Sequence, residues 1–289
     1  FSGQRELIAP NGTRIVLVDE EAEVVLPPLQ QSFVVSRLGD GAPFHLGRAG
    51  MRYRDLIPGR QGGRFIASHI QIPHGGPVPD YVHFHKVRFQ MIYCRRGWVR
   101  VAYEGQTEVL LMQEGDCFLQ PPLIRHRVLE SSAGAEVVEI AAPAEHITVA
   151  DPDMPLPSAA ALPPEHDFHG QRFVHHVASR ASWVPWRVGG FEHRDTGVGA
   201  ATRGMAGVRV VRRNGAALAT QASSHDTEFC FYFVLAGRVT LDLPGQRCTL
   251  SSDDCITLPG RDRYAFAEAS EDLQMLEVTL PAAVEVRAS

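Results

Sequence analysis

Four side chains in the N-terminal half have the types and spacing to hold a metal ion. His83 and His85 lie two residues apart, Gln90 follows, and His126 comes later in the run Gly115-Asp-Cys-Phe-Leu-Gln-Pro-Pro-Leu-Ile-Arg-His. On an extended strand, residues two apart face the same side, so both imidazoles project together. The four residues before Gln90 suffice to turn into an antiparallel strand, which Gly97 ends. His126 opens a more distant strand. Two imidazoles on one strand and a third from another let a barrel interior grip an ion from one side. Three nitrogens and an amide oxygen suit one divalent transition metal such as Fe, Ni, Cu, Mn or Zn. They leave one or two positions open for water or substrate, as in a catalytic rather than a structural site. The plainer reading, separate hydrogen-bonded strand histidines, accounts for one such residue more easily than for the set.

Strand parity extends the site. If Gln90 faces inward, so do Ile92 and Cys94, while Met91 and Tyr93 face out; Val128 faces inward with His126. Cys94 is either a thiol near the metal or, more simply, a packed apolar residue. His69 is a further candidate for the pocket lining, but both faces of residues 64–72 are mixed and its parity stays open. His175-His176 and His166-x-x-His169 have no carboxylate or Cys partner at motif spacing and read as solvated. No catalytic acid or base stands out.

The elements that must position these groups are strands. Short β-branched and aromatic runs, such as Ser32 to Ser36, Arg64 to Ile72, Phe89 to Cys94, Trp98 to Tyr103 and Val137 to Ile140, alternate with Gly, Pro and Asp breakers. No segment reads as a long capped helix. Residues 151–166 contain five prolines, which oppose regular structure. The expected organisation is a metal-binding barrel over residues 1–150, a Pro-rich linker over 151–169 and a second barrel over 170–289. The halves repeat: Phe89-Gln-Met-Ile-Tyr-Cys-Arg-Arg-Gly97 lies over Phe229-Cys-Phe-Tyr-Phe-Val-Leu-Ala-Gly237 at an offset of 140 residues, and Asp116 lies over Asp254 at 138. In the copy the four ligand positions read Ser223, His225, Cys230 and Tyr264. One imidazole with a Cys and a Tyr is a poor divalent site, so the second barrel is expected to be metal-free and structural.

These motifs resemble the cupin superfamily. Its first motif is matched by Gly76, His83, His85, Gln90 and Gly97, with one extra residue after Gly76 and Gln where the family carries Glu. Its second is matched by Gly115, Pro121 and His126, with Leu123 standing for Gly and Glu130 for Asn. The resemblance implies an all-β fold of two tandem cupin barrels (double-stranded β-helix, or jelly-roll), a bicupin, with metal ligands His83, His85, His126 and, in the Glu position, Gln90. A neutral amide is a weaker ligand than a carboxylate. It is expected to leave the full charge of the ion unbalanced, favouring an anionic or enolised substrate, and to remove a possible general base.

Three functional readings follow: a mononuclear non-haem dioxygenase acting on a small aromatic, enol or diketone compound; a non-redox isomerase or lyase of a sugar or small acid, with the metal as Lewis acid; or a non-catalytic small-molecule-binding bicupin. The net charge of −5 argues against nucleic acid as partner, and no apolar run is long enough for a membrane helix. Five cysteines, an odd number without a CxxC pair, suggest a reducing, cytoplasmic compartment, and no signal peptide is evident. Arginine outnumbers lysine 27 to one, a bias expected of a GC-rich bacterial genome. Exposed barrel edges make a homodimer the expected assembly.

Overall fold

The computed structural model describes residues 6–10, 14–16, 24–41 and 43–288, so parts of the expected first domain lie outside the described residues. Strands dominate. Helical structure among the described residues is limited to short turns, including the four-residue α-helical segments Arg60–Gly63 and Val198–Ala201.

Two seven-stranded antiparallel sheets form the centre of the molecule. The first runs Val174–His176, Cys117–Leu119, Phe89–Arg96, Ala135–Ala142, Ile66–Ile72, Arg52–Asp55, His45–Leu46. The second repeats this order with Val34–Ser36, Cys255–Thr257, Phe229–Ala236, Gln274–Leu280, Gly207–Arg213, Phe191–Asp195 and Val184–Pro185. Smaller sheets close the barrels, one in the first half and two, of two and three strands, in the second. The one in the first half contains Trp98–Tyr103, His126–Ser131, His83–His85 and Thr148–Ala150.

The repeat explains this order, with one departure from a simple division of the chain. Val34–Ser36, from the N-terminal half, pairs with Cys255–Thr257, and Val174–His176, from the C-terminal half, pairs with Cys117–Leu119. Each large sheet therefore takes its edge strand from the other half, and the expected boundaries at 150 and 170 do not coincide with the strand pairings. The Pro-rich segment lies along the first barrel: Ser158 N–H donates to Gln106 O at 2.8 Å and Leu162 N–H to Gly105 O at 2.9 Å.

The large sheets meet face to face. Phe89, Met91 and Tyr93 from one and Phe229, Phe231 and Phe233 from the other belong to one buried cluster, and the Phe65 and Phe229 rings stack at 4.3 Å. The alternate residues of these strands point into the barrels: Cys94 packs with Ile70, Val99, Val101 and Phe118, while Tyr232 and Val234 pack with Trp186, Phe191 and Phe266. A strand buried on both faces loses the apolar–polar alternation of a one-sided strand, so Phe89–Cys94 and Phe229–Val234 read as nearly continuous apolar runs. Each fully buried large apolar side chain contributes about 1.5–3 kcal/mol.

Gly97 and Gly237 join equivalent hairpin strands, both at φ 72°. A Cβ at Gly97 would collide with Ser132 Oγ and one at Gly237 with Ser270 Oγ, so the turns need glycine for space as well as for torsion.

Candidate metal centre

His126 and His83 are direct antiparallel partners, and His85 pairs with Thr148 one strand further. This register turns two distant motifs into neighbours. The ring centroids lie 4.2 Å apart for His83–His126, 5.0 Å for His83–His85 and 5.2 Å for His85–His126. One ring nitrogen from each lies within 4.8 Å of the other two. Nitrogens sharing an ion at about 2.1 Å each are roughly 3–3.5 Å apart, so small side-chain adjustments bring this set to bonding distance.

The other ring nitrogens face protein oxygens. His83 Nδ1 lies 2.8 Å from Tyr81 O and His126 Nδ1 3.1 Å from Ile124 O. A carbonyl only accepts, so Nδ1 carries the proton and Nε2 keeps its lone pair, the tautomer a metal requires. His85 Nδ1 has Thr148 Oγ1 at 2.9 Å. Arg48 also approaches His83 Nδ1 at 2.9 Å. A guanidinium only donates, so it cannot bond to the nitrogen that donates to Tyr81; its partner is the Asp80 carboxylate. Burial, reinforced by the neighbouring rings, pushes His85 down to about 2 and His126 to about 3, and burial also lowers His83. The imidazoles are neutral at pH 7, so the donor set fits a divalent ion.

The imidazoles open on a cavity of about 160 Å³. Ile70, Ile72, Ile92, Val99, Val101, Val128 and Val137 with Met51, Met112 and Phe118 form its apolar wall, while Arg48, Asp80, Tyr53, Tyr103, Gln90, Gln120 and Glu139 add polar groups. Ile92 and Val128 thus lie where parity places them. Cys94 faces the same interior but lies deeper, its thiol donating to Arg96 O at 3.6 Å and Gly97 O at 3.4 Å. Burial pushes that thiol up to about 12, and it is absent from the cavity lining. His69 corrects the sequence expectation more sharply. Ile70 and Ile72 point into the barrel, so His69 faces the opposite side, edge-on to Phe233 of the other half, with Nε2 2.8 Å from Glu136 Oε2.

Gln90 brings no carboxylate of its own, but one stands beside it. Glu139, on the adjacent strand, lines the cavity and accepts a hydrogen bond from Gln90 Nε2 at 2.6 Å. Asp80 Oδ2 accepts from Val128 N–H at 2.9 Å, and Gln120 Nε2 donates to Tyr103 OH at 3.0 Å. The signals for these residues were thin: Asp80 sits in a loop, Gln120 precedes Pro121, and Glu139 could be placed only by the inward alternation Val137, Glu139, Ala141. Leu123, where the motif has Gly, adopts φ 63° and donates its N–H to His85 O at 3.1 Å. The turn beside the imidazoles keeps the left-handed backbone that favours glycine.

Two other clusters fit an ion less well. His69, Glu136 and Asp253 approach one another, but Arg95 pairs with Asp253, Arg96 with Glu136, and Arg54 donates to Asp253 O. Three guanidinium groups already supply cationic charge there. In the second barrel, Ser223 and Tyr264 form the bridge equivalent to His83–His126, yet Trp186, Phe191, Tyr232, Tyr264 and Phe266 fill the interior. Buried Glu277 is paired there with Arg187 and Arg209. Neither His166, His169, His175 nor His176 joins a metal-capable group among the described residues. His175 instead packs on Phe118, with ring centroids 4.7 Å apart.

No protein-family model matches the chain, and no curated protein matches it in sequence. Solved structures match its fold. A salicylate 1,2-dioxygenase from Pseudaminobacter salicylatoxidans superposes with a TM-score of 0.66 at 10% identity, covering 92% of this chain and 90% of that one. A deletion mutant of Bacillus subtilis oxalate decarboxylase OxdC gives 0.62 at 12%, covering 94% and 82%. Protein YlbA from E. coli, of family DUF861, gives 0.63 at 11%, covering 91% and 96%. These are cupin-fold proteins, and the likeness extends through both halves: the fold is that of a bicupin.

Proposed function

We propose that the chain is a metal-dependent bicupin enzyme, a mononuclear dioxygenase of a small aromatic or enolised compound. The observation that carries this reading is the opening of three neutral imidazoles onto an apolar cavity of about 160 Å³. An apolar cavity of roughly 150 Å³ accommodates benzene, so the space suits a single ring or a compact diketone. His83, His85, His126 and Gln90 are the ligand set. When bound, a redox-active ion would supply electron transfer between substrate and dioxygen. The protein's own part is to orient and to exclude water: the aliphatic walls hold the ring, and Arg48, fixed by Asp80, offers a donor at the imidazole end. Asp80 and Glu139 against Arg48 leave one negative charge, so a divalent ion brings the pocket to a charge of +1, which a monoanionic substrate balances. Similar folds include a salicylate dioxygenase, also solved as adducts with gentisate, which supports the substrate class by analogy alone.

One observation favours a second reading. Glu139 places a carboxylate beside Gln90, where it can serve as a base for a Lewis-acid isomerase or lyase. Metal content separates the two. About one Fe, Mn, Cu or Ni per chain, lost on His83→Ala and His126→Ala substitution, with oxygen uptake on aromatic acids or diketones, supports the dioxygenase. Stoichiometric Zn without oxygen uptake supports the Lewis-acid enzyme. No stoichiometric metal after incubation with each ion would leave a binding protein. The described residues contain no helix long and apolar enough to cross a membrane. The five buried free thiols are consistent with a reducing, cytoplasmic setting, and homodimerisation through a barrel edge remains part of the proposal.

A further inference from the structure

The internal repeat gives Glu139 a counterpart. Glu139 pairs in register with Ile92, and Glu277 with Tyr232, the residue 140 positions after Ile92. Both glutamates project from equivalent strands into their barrels. In the second barrel the carboxylate meets a cation: Arg187 donates to Glu277, Arg209 lies 3.4 Å away, and Tyr232 OH donates at 3.1 Å. In the first barrel the same position lacks this compensation. Arg48, the arginine of this cavity, is held by Asp80, and Glu139 accepts from the neutral Gln90 amide.

We infer that Glu139 and Gln90 act as one unit, with the glutamate fixing the orientation of the amide and supplying the negative charge that a carboxylate ligand would otherwise bring to the metal. The reasoning is chemical. An ionised carboxylate only accepts hydrogen bonds, so the amide must present Nε2 to Glu139 and keep Oε1, its ligating atom, for the cavity. Without Glu139 the amide has no such constraint and half of its orientations offer the ion an N–H group. The charge has been moved by one strand rather than lost. Where the second barrel meets it with Arg187, the first leaves it for a bound cation. Glu139 is a positioning residue in this account. The inference rests on the metal-binding reading above.

The test is a charge swap read by metal affinity. Zn(II) dissociation constants are measured by chelator competition, and Mn(II) EPR spectra recorded, for the full-length chain and for Glu139→Gln, Gln90→Glu and the double variant. Outer-shell partners of metal ligands are worth about 10–100-fold in affinity, and Glu139→Gln is expected to lose that much. Gln90→Glu alone sets two carboxylates against each other and should not bind more tightly than the unaltered chain, although it installs the stronger ligand type. Combining the two restores one carboxylate and one amide, and should return affinity to within about threefold of the unaltered chain. Unfolding of the metal-stripped proteins checks that each variant folds, and the swap provides the rescue if a single variant does not. Unchanged affinity in Glu139→Gln, or a double variant no better than the singles, overturns the inference. Metal binding that is absent from the unaltered chain, or that is present but insensitive to His83→Ala, overturns the reading beneath it, and is seen before any Glu139 variant is made.

Discussion

Replacing Arg187 with Met tests the account of the second barrel's interior. Glu277 is fully buried, and Arg187 donates to its carboxylate while lying 2.6 Å from Tyr232 OH. Arg187→Met leaves that charge with Trp186 Nε1 at 3.4 Å, Tyr232 OH at 3.1 Å and Arg209 at 3.4 Å. Removing one partner of a buried pair costs about 3–5 kcal/mol because an uncompensated charge remains. Arg209 compensates in part, so the lower end, about 3 kcal/mol, is expected. At roughly 2–4 °C per kcal/mol, the melting temperature should fall by about 6–12 °C. Arg187→Met combined with Glu277→Met replaces both charges with apolar volume among Trp186, Tyr232 and Phe266, and should recover most of the loss. Thermal unfolding followed by circular dichroism gives the shifts, with metal content reporting on the first barrel. A single variant as stable as the parent, or a double variant less stable than the single, would refute the reasoning that Arg187 balances a charge rather than merely filling space.

Acid should weaken the metal-stripped protein. His126 is held down to about 3 by burial, so the unfolded chain binds the extra proton below pH 6.5 and stability falls as pH drops from there towards 3, by up to about 1.4 kcal/mol per pH unit for this one group. Urea unfolding at pH 7, 6 and 5 should therefore show a shallower pH dependence in His126→Leu, and parallel slopes would contradict it. Val101→Phe fills the cavity wall and should weaken binding of a small aromatic acid by about tenfold or more while leaving metal stoichiometry intact, as read by calorimetry and elemental analysis. Phe229→Ala removes a ring stacked on Phe65 between the halves and should cost about 3–5 kcal/mol in chemical denaturation.

The candidate site was legible in the sequence because its signal is short-range in form. His83-x-His85 announces two groups on one strand face, and the second motif supplies His126. The same parity correctly separates Ile92 from Met91 and Tyr93. It fails for His69 because residues 64–72 are covered on both faces, by their own barrel and by the neighbouring one, so hydrophobicity does not alternate. Met91 and Tyr93 do leave the barrel, but they enter the other half's aromatic layer rather than water. Arg48, Asp80 and Glu139 stayed hidden for a different reason. Arg48 and Asp80 are placed by loop paths, and the partner of Glu139 by strand register, neither of which local pattern encodes. For Glu139 the alternation Val137, Glu139, Ala141 gives a facing but no role; the role emerges when the repeat sets it beside Glu277, which meets Arg187 in the interior of the copy.

The exchanged edge strands, Val34–Ser36 and Val174–His176, bear on how such a protein can change over time. Each half carries a piece of its neighbour's wall, so deleting either half removes a strand from the survivor. The second barrel is filled with aromatic rings where the first has imidazoles, and nothing in the strand exchange depends on the chemistry at either centre. That barrel could not be discarded. A repeated barrel joined in this way can differ from its copy at the centre while being held to the same outline, because each half supplies part of the other's wall.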